Sequence, residues 1–301
     1  AHRPVGSADP GGLMKLSRSA LVILGLLGML GIAAVFGPIF SPYGVGELSD
    51  NRLAPPSAEH WLGTDLHGRD LMTRLMYGAR ISLLVGFVGA SISLFIGVVY
   101  GLIAGYAGGR TDNLMMRFVD VLYALPRIVL VIVLISLFDL KLKSLLDGTF
   151  LAPFATHARL LLLFVGLGMV EWLTWARIVR AQVLTIKERP FVLSSRLIGQ
   201  STPVILFRQI LPQVIPIVVT YLTLALPAVI LEESFLSFLG LGVQAPLASW
   251  GTLLADGASM LNPIDTPWWL IVFPALALVS CLLLFNLLGD QLRRLGTDSD
   301  R

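Results

Sequence analysis

Long apolar runs alternate with short polar segments along the whole chain, and six of the runs are long enough to cross a lipid bilayer. A helix crosses a hydrocarbon core of about 30 Å with about 20 predominantly apolar residues. The runs cover residues 19–40, 81–106, 114–138, 160–184, 214–239 and 268–288. Glycine and proline inside them are tolerated in membrane bundles, where small residues let helices approach closely. The pattern therefore predicts an all-α polytopic membrane protein with about six transmembrane helices.

The basic residues predict the orientation of these spans. Basic residues precede the first span, six more lie between 177 and 208, and two follow the last span at 293 and 294. With six spans all three sites fall on one side, and the enrichment of Lys and Arg in cytoplasmic loops makes that side cytoplasmic. Segment 242–267 holds no Lys or Arg, as expected of an external loop. Three arginines between 41 and 79 would lie outside, where five carboxylates offset them.

Composition supports a membrane protein and gives no sign of an enzyme. Hydrophobic residues make up 55% of the 301 residues and charged residues only 14%, against about 25% charged in soluble domains. A net charge of +3 gives no electrostatic reason to expect nucleic acid. The four histidines are scattered, and no nucleophile or zinc motif is present, so we predict no catalytic, cofactor or metal site. Cys281 is the single cysteine and reads as a small buried hydrophobe.

The spans suggest three regions. Residues 1–77 are predicted to hold an N-terminal cytoplasmic segment, the first span and an external connection. Residues 78–292 form a core of five spans with a cytoplasmic loop at 186–212, and 293–301 form a cytoplasmic tail. Met14 is a candidate native start, and the first run is too long for a signal-peptide core of about 7–15 residues, so we expect a retained helix.

The 186–212 loop has the signals of two short helices. Pro190 suits a first helical turn, and the next apolar and small residues recur on one face. They are Phe191, Ser195 and Ile198. Gly199 is placed to end this helix with a left-handed turn, and Thr202-Pro203 to cap a second helix that runs to Leu211-Pro212. Spacing alone leaves two interpretations open: a hairpin that docks a partner, or one that lies on the lipid interface.

This loop resembles that of ABC importer permeases, whose family pattern is Glu-Ala-Ala-x3-Gly-x9-Ile-x-Leu-Pro. Gly199, Leu211 and Pro212 stand at the matching positions. The departures are Leu193 at the Glu position, Ser194 and Ser195 at the two Ala positions, and Gln209 at the Ile position. The resemblance implies that Phe191, Ser194, Ser195, Arg196, Gly199, Leu211 and Pro212 form the seat for an ATPase, with one polar contact in doubt at Leu193.

Further segments narrow the resemblance to the second, C-type permease subunit of oligopeptide and dipeptide importers. They include Leu62-Gly63-Thr64-Asp65, Gly105-Tyr106-Ala107-Gly108-Gly109, Ala176-Arg177-Ile178-Val179-Arg180, Glu233-Ser234-Phe235-Leu236-Ser237, Ser249-Trp250-Gly251 and Asn286-Leu287-Leu288-Gly289-Asp290. The similarity covers about 60–295 and implies a type I ABC importer permease fold in a bacterial plasma (inner) membrane. Nickel or another small solute is the alternative cargo within this group.

The resemblance also implies partners. Such a subunit works with a homologous second permease, two cytoplasmic ABC ATPases and an external peptide-binding protein. This chain has no phosphate-cradling Gly-x4-Gly-Lys-Ser/Thr motif, so ATP and magnesium are expected in the partner ATPases. An ion-coupled secondary transporter is the rival from another class, and it predicts internal repeats with paired broken spans. We find no clear repeat.

Four of the charged residues inside predicted spans need separate consideration, because a charge costs at least about 2.5–3.5 kcal/mol at mid-bilayer. They are Arg127, Glu171, Glu232 and Glu233. One hypothesis is that Arg127 lines the translocation path and meets a peptide carboxylate. The other is an internal ion pair of Arg127 with Glu171 or Glu232 that fixes helix packing. We favour the ion pair, because an unpaired buried charge is the costlier arrangement.

Overall fold

The computed structural model describes residues 18–147, 158–262 and 266–298, the last four by their backbone only. The described residues form α1 (Arg18–Phe40), α2 (Leu71–Ala107), α3 (Gly109–Tyr123), α4 (Arg127–Asp147), α5 (Ala158–Ile186), α6 (Pro190–Leu197), α7 (Thr202–Val204), α8 (Leu211–Phe238), α9 (Trp250–Ser259) and α10 (Trp269–Asp298). The predicted segment before residue 18, with Met14, and the last three residues of the predicted tail lie outside the described residues.

Five described helical segments are long and apolar enough to cross a membrane, and a sixth is if the bent pair α3 and α4 counts as one span. The prediction of about six spans is therefore confirmed. The third predicted span, 114–138, is not one continuous helix, because α3 and α4 meet at an angle of 82°. Pro126 explains the break, since a proline has no N–H to donate and disfavours helical backbone at Leu125 before it.

The second span starts ten residues earlier than the apolar run suggests, at Leu71 rather than 81. Asp70 caps this helix, and its carboxylate accepts a hydrogen bond from the Thr73 N–H at 2.8 Å. A capping carboxylate both satisfies a free N–H group and interacts favourably with the positive end of the helix dipole. The Asp70 cap therefore starts the helix at Leu71, ahead of the apolar run that begins at Ile81.

A stripe of small residues lets α2 and α5 pack closely side by side in parallel. Gly89, Ser93, Gly97, Gly101 and Gly105 recur every fourth residue and so share one face of α2. A Cβ atom at Gly101 would lie 2.7 Å from the Ala176 carbonyl oxygen, and one at Gly105 would lie 2.8 Å from the Val183 Cβ. Small residues in this arrangement are a general means of helix association in membranes.

The other spans pack around α2 and α5, with α8 antiparallel to α2 and α10 antiparallel to α8. Ile230 of α8 packs against Gly86 of α2. The serine-rich end of α8 reaches the first third of α2, where Ser82 bonds to Glu233. The end of α1 meets the start of α2, where the Ser41 and Thr73 hydroxyls lie 2.5 Å apart. Cys281 of α10 is fully buried, as predicted, beside Ile230 and other apolar side chains. The result is a helical bundle with α2 at its centre.

The two ends of the bundle differ in charge. One end holds α6 and the last turns of α2 and α5, with the basic residues between 177 and 208, and we call it the basic end. The opposite end holds loop 41–70 and α9. At the opposite end the Asp65 carboxylate binds Arg69 at 2.6 Å and Arg74 at 2.5 Å, and Arg74 also reaches Asp256 at 3.2 Å. Arg69 and Arg74, two of the three arginines on the side predicted to be external, are therefore neutralised by carboxylates.

Burial alone would raise the pKa of Asp65, but its partners reverse that effect. The Arg74 guanidinium and the backbone N–H groups of Arg69 and His67 favour the charged carboxylate. Together they hold the pKa of Asp65 below its usual value. The loop at the opposite end is thus organised around one ionised carboxylate.

Candidate functional site

The loop after α5 begins as the sequence predicts. Ile186 ends α5, Arg189 adopts extended backbone as the N-cap of α6, and Pro190 occupies the first turn. Gly199 has a φ of +78° and donates its N–H to the Arg196 carbonyl at 3.0 Å. The Gln200 N–H reaches the Ser195 carbonyl at 3.1 Å. This is the left-handed turn that glycine makes at low cost at the end of a helix.

The second half of the loop differs from the prediction. Ser201, rather than Thr202, is the N-cap of α7, and Pro203 follows in the first turn. No separate second helix forms, because α7 continues through a π-helical turn at Ile205–Ile210 directly into α8. The predicted second helix is therefore the start of a membrane span. A displacement of this segment would pass along one helix into the membrane.

The inner face of α6 is fastened to the rest of the bundle. Val192 is fully buried in an apolar cluster with side chains of α5, α2 and α8. The Ser195 hydroxyl is also buried and donates to the Phe191 carbonyl at 3.0 Å. The Arg196 guanidinium lies 4.7 Å from the centroid of the Tyr106 ring, at the end of α2. Ser195, predicted to share a docking face with Phe191, thus points into the protein.

The outer face of α6 is apolar and open. Leu197 is 88% exposed and Ile198 73%, and Leu193 and Phe191 are also exposed. Ser194 faces outward with its hydroxyl bonded to the Pro190 carbonyl. The other predicted docking residues lie nearby, with Gly199 and Pro212 exposed and Leu211 half-buried. Contiguous exposed apolar side chains mark an interaction surface. We call Leu193 and Leu197, together with Ile198 directly after the helix, the outer face of α6.

The break between α3 and α4 brings the predicted intramembrane charges together. Arg127 is the first residue of α4, and its Nη1 lies 2.5 Å from the Glu171 Oε1 of α5. The Glu171 side chain is 7% exposed and that of Arg127 is 42% exposed. Glu232 is half-buried and close enough to interact electrostatically with both. Tyr123 joins this cluster, since Arg127 lies 5.7 Å and Arg177 4.1 Å from its ring centroid.

The fourth charge, Glu233, lies apart from that cluster. Its fully buried carboxylate accepts hydrogen bonds from three serine hydroxyls: Ser82 at 2.9 Å, Ser237 at 2.7 Å and Ser234 at 3.3 Å. Ser82 accepts the Trp250 N–H, and Ser237 accepts the Val243 N–H. Glu233 thus joins α2, α8 and the segment that leads into α9. The spacing of Ser234 and Ser237, one and four residues after the carboxylate, was the available signal for this network.

Comparison with known proteins agrees with this architecture. Residues 97–295 match the family described as the binding-protein-dependent transport system inner membrane component. The chain belongs to this family of permeases. The predicted resemblance to ABC importer permeases is confirmed.

Two relatives and one solved structure are similar to this permease over most of its length. It is 43% identical over 282 residues to the dipeptide transport system permease protein DppC of Bacillus subtilis, covering 93% of this chain and 82% of that protein. It is 40% identical over 288 residues to the oligopeptide transport system permease protein OppC of Haemophilus influenzae, covering 95% and 86%. A chain of the inward-facing MetNI methionine ABC transporter matches with a TM-score of 0.51 and 19% identity, covering 75% of this permease and 97% of that chain. The last likeness concerns the fold alone.

Arg127 and Glu171 allow the two interpretations of the intramembrane charges to be separated. The single change Arg127→Ala leaves the buried Glu171 carboxylate without its cation, and we expect a loss of about 1–3 kcal/mol in stability. If the pair only fixes packing, Arg127→Ala/Glu171→Ala should regain both thermal stability and uptake, because neither charge is then left alone. Thermal unfolding of the purified permease complex and uptake in vesicles measure the two properties. A double variant as stable as wild type that imports no substrate would assign Arg127 to the translocation path.

Proposed function

We propose that this chain is a membrane subunit of an ATP-driven bacterial importer of oligopeptides or dipeptides. The observation that carries the proposal is the open apolar outer face of α6, on a short helix linked to a membrane span at the basic end. The family supports a transport role, and its relatives among the dipeptide and oligopeptide transport system permeases support a peptide cargo. The chain itself catalyses no reaction in this proposal.

The proposed partners follow from what this chain does not supply. A homologous second permease completes the pathway, two cytoplasmic ABC ATPases bind ATP and magnesium, and an external binding protein delivers the peptide. The half-exposed Arg127 supports a second permease, because a cation that faced lipid at this depth would be costly. A neighbouring subunit or a water-filled cavity between two subunits removes that cost.

The proposed orientation puts the basic end in the cytoplasm of a bacterium, across its inner membrane, with both termini on that side. α10 runs antiparallel to α8, which directs Arg293 and Arg294 toward the end that also carries α6. Two of the three arginines at the opposite end, Arg69 and Arg74, are paired with carboxylates, which weakens their opposition to this orientation.

The mechanism proposed for coupling is mechanical. The outer face of α6 sits in a groove of the ATPase, as an apolar helix face does in other helix-in-groove complexes. When the nucleotide-bound ATPases close, α6 moves with them, and the continuous path from α7 through the π-helical turn carries the movement into α8. Rigid-body rotation of such elements is a common switching motion. The tilt of α8 then changes which side of the membrane the pathway opens to.

The experiment that tests this function is the change Leu197→Asp. A carboxylate on the outer face of α6 should prevent ATPase docking and reduce ATP-driven peptide uptake at least about tenfold, since one buried unpaired charge costs more than the 1.4 kcal/mol that a factor of ten requires. The fold should be unaffected, because Leu197 is exposed. Co-purification of the ATPases and uptake of a labelled peptide measure the two effects.

Leu48→Asp is the matched control, because Leu48 is the same residue type, 69% exposed, at the opposite end. It should retain the ATPases. If Leu197→Asp co-purifies with the ATPases and imports peptide like wild type, the docking role of α6 is wrong. Competition with unlabelled peptides of different lengths, and with nickel, identifies the cargo.

A further inference from the structure

Two positions at which the loop departs from the permease pattern touch each other. Ser195 replaces an alanine of the pattern, and Gln209 replaces its isoleucine. In the structure the Gln209 Nε2 donates to the Ser195 Oγ at 2.5 Å and to the Gln200 Oε1 at 2.7 Å. The two departures therefore form a single contact, in which both apolar residues of the pattern are replaced by polar ones.

This contact spans the turn at Gly199. The backbone between α6 and α7 turns at Gly199, where a Cβ atom would meet no atom of the described residues within 4 Å. Apart from the two backbone hydrogen bonds of the turn, no packing between described residues at Gly199 restrains the angle between the two helices. Gln209 lies in the π-helical turn and reaches both sides of Gly199, to Ser195 on α6 and to Gln200 beyond it. π-helical turns occur frequently at functional sites.

The contact brings little net stability of its own. The Gln209 Oε1 is buried and has no hydrogen-bond partner within the part of the chain that the structure describes. A buried acceptor without a donor costs free energy, which offsets what the two bonds of Nε2 contribute. The Ser195 hydroxyl would keep its bond to the Phe191 carbonyl without Gln209. What Gln209 adds is direction, because hydrogen bonds fix an angle that the apolar contacts of Val192 leave free.

We propose that Gln209 is a positioning residue that locks α6 to the start of α8 and so sets how much of the movement of α6 reaches the membrane. The proposal rests on the function proposed above, in which the ATPases move α6. Without the lock, α6 swings about Gly199 when the ATPases close, and ATP is hydrolysed without movement of α8.

The test uses the complete transporter, with its second permease, ATPases and binding protein, in liposomes. The variant is Gln209→Met, which keeps the length of the side chain and removes both hydrogen bonds. The measured quantity is the number of ATP molecules hydrolysed per labelled peptide imported. We expect this ratio to rise about threefold or more, which lies within the range by which single mutations change the coupling between distant sites. The melting temperature should stay unchanged or rise, because the unpaired Oε1 is gone.

Three further variants make the result specific. Gln213→Met is the matched control, one helical turn later and exposed, and it should leave the ratio unchanged. Ser195→Ala removes one of the two bonds and should give an intermediate ratio. Ser195→Ala/Gln209→Met should be no worse than Gln209→Met alone, since both changes break one contact.

Two outcomes overturn the lock. One is an unchanged ratio in Gln209→Met complexes that import peptide, or in Ser195→Ala complexes if Gln209→Met does not assemble. The other is a raised ratio with a lowered melting temperature in both variants, which would indicate general destabilisation. Failure of the proposed function looks different, since the wild-type complex would then import no peptide with ATP.

Discussion

Replacing Gly97 with leucine should abolish the folded permease. This residue lies where α2 crosses the backbone of α5, and even a Cβ atom there would sit 2.6 Å from the Trp172 carbonyl oxygen and 3.1 Å from the Ala176 nitrogen. Those are backbone atoms, so no change of rotamer can relieve the overlap. Overpacking a core with flexible neighbours costs about 1–3 kcal/mol, and here the whole helix must move away from its partner.

Thermal unfolding and size-exclusion chromatography of the detergent-purified permease measure this effect. Gly97→Ala should already lower the melting temperature, although alanine favours a helix by about 1 kcal/mol over glycine. Gly28→Leu is the control, since a Cβ atom at Gly28 of α1 meets nothing within 4 Å. A monodisperse Gly97→Leu permease with the wild-type melting temperature would contradict the close packing of α2 and α5.

The spans could be predicted because hydropathy over 20 residues depends little on tertiary structure. The bend of the third span could not. Pro126 is present in the sequence, but prolines also lie inside α8, at Pro216 and Pro227, without ending that helix. Whether a proline bends or breaks a span depends on what the neighbouring helices offer the freed carbonyl groups. That information lies in α5 and α8, far along the chain.

In the 186–212 loop, the first helix could be predicted and its orientation could not. Pro190 and Gly199 act through their own backbone, so α6 begins and ends as expected. Periodicity shows which residues share a face, but it does not say which face points inward. Ser195 lies inward because the α7–α8 segment passes beside it, and that path depends on the π-helical turn.

The intramembrane charges show the same limit. Glu232 and Glu233 are adjacent in sequence, and hydropathy places both inside the same predicted span. On a helix of 3.6 residues per turn, neighbours point about 100° apart. Glu232 therefore faces the Arg127 cluster, whereas Glu233 faces α2 and the serines. The direction of each side chain decides its role, and only the packing of α8 determines it.

Glu233→Leu should destabilise the permease at the opposite end. The leucine leaves the hydroxyl protons of Ser82 and Ser237 without their acceptors in an apolar environment. Each unsatisfied group costs about 1–3 kcal/mol, so we expect a loss of about 2–6 kcal/mol, reduced where a serine can turn to a carbonyl of its own helix. This is a large part of the 5–15 kcal/mol or so that typically stabilises a folded protein.

The measurements are thermal unfolding and hydrogen exchange of segment 240–250, whose Val243 and Trp250 N–H groups depend on the two serines. Glu233→Gln keeps one acceptor and the shape of the side chain, so its loss should be smaller. Glu59→Leu removes an exposed carboxylate at the same end and should change neither property. Wild-type exchange and melting temperature in Glu233→Leu would contradict the role of the carboxylate.

The same variant separates the two ends of α8. The outer face of α6 lies at the basic end, far from Glu233, so Glu233→Leu complexes that assemble should still bind the ATPases. Transport needs more than ATPase binding. A force on the basic end of α8 changes the side to which the pathway opens only if the other end of α8 is held in place. Glu233 provides that hold through α2 and the segment before α9. We therefore expect Glu233→Leu complexes to keep ATPase binding while their peptide uptake falls. Leu197→Asp, by contrast, should lose both ATPase binding and peptide uptake.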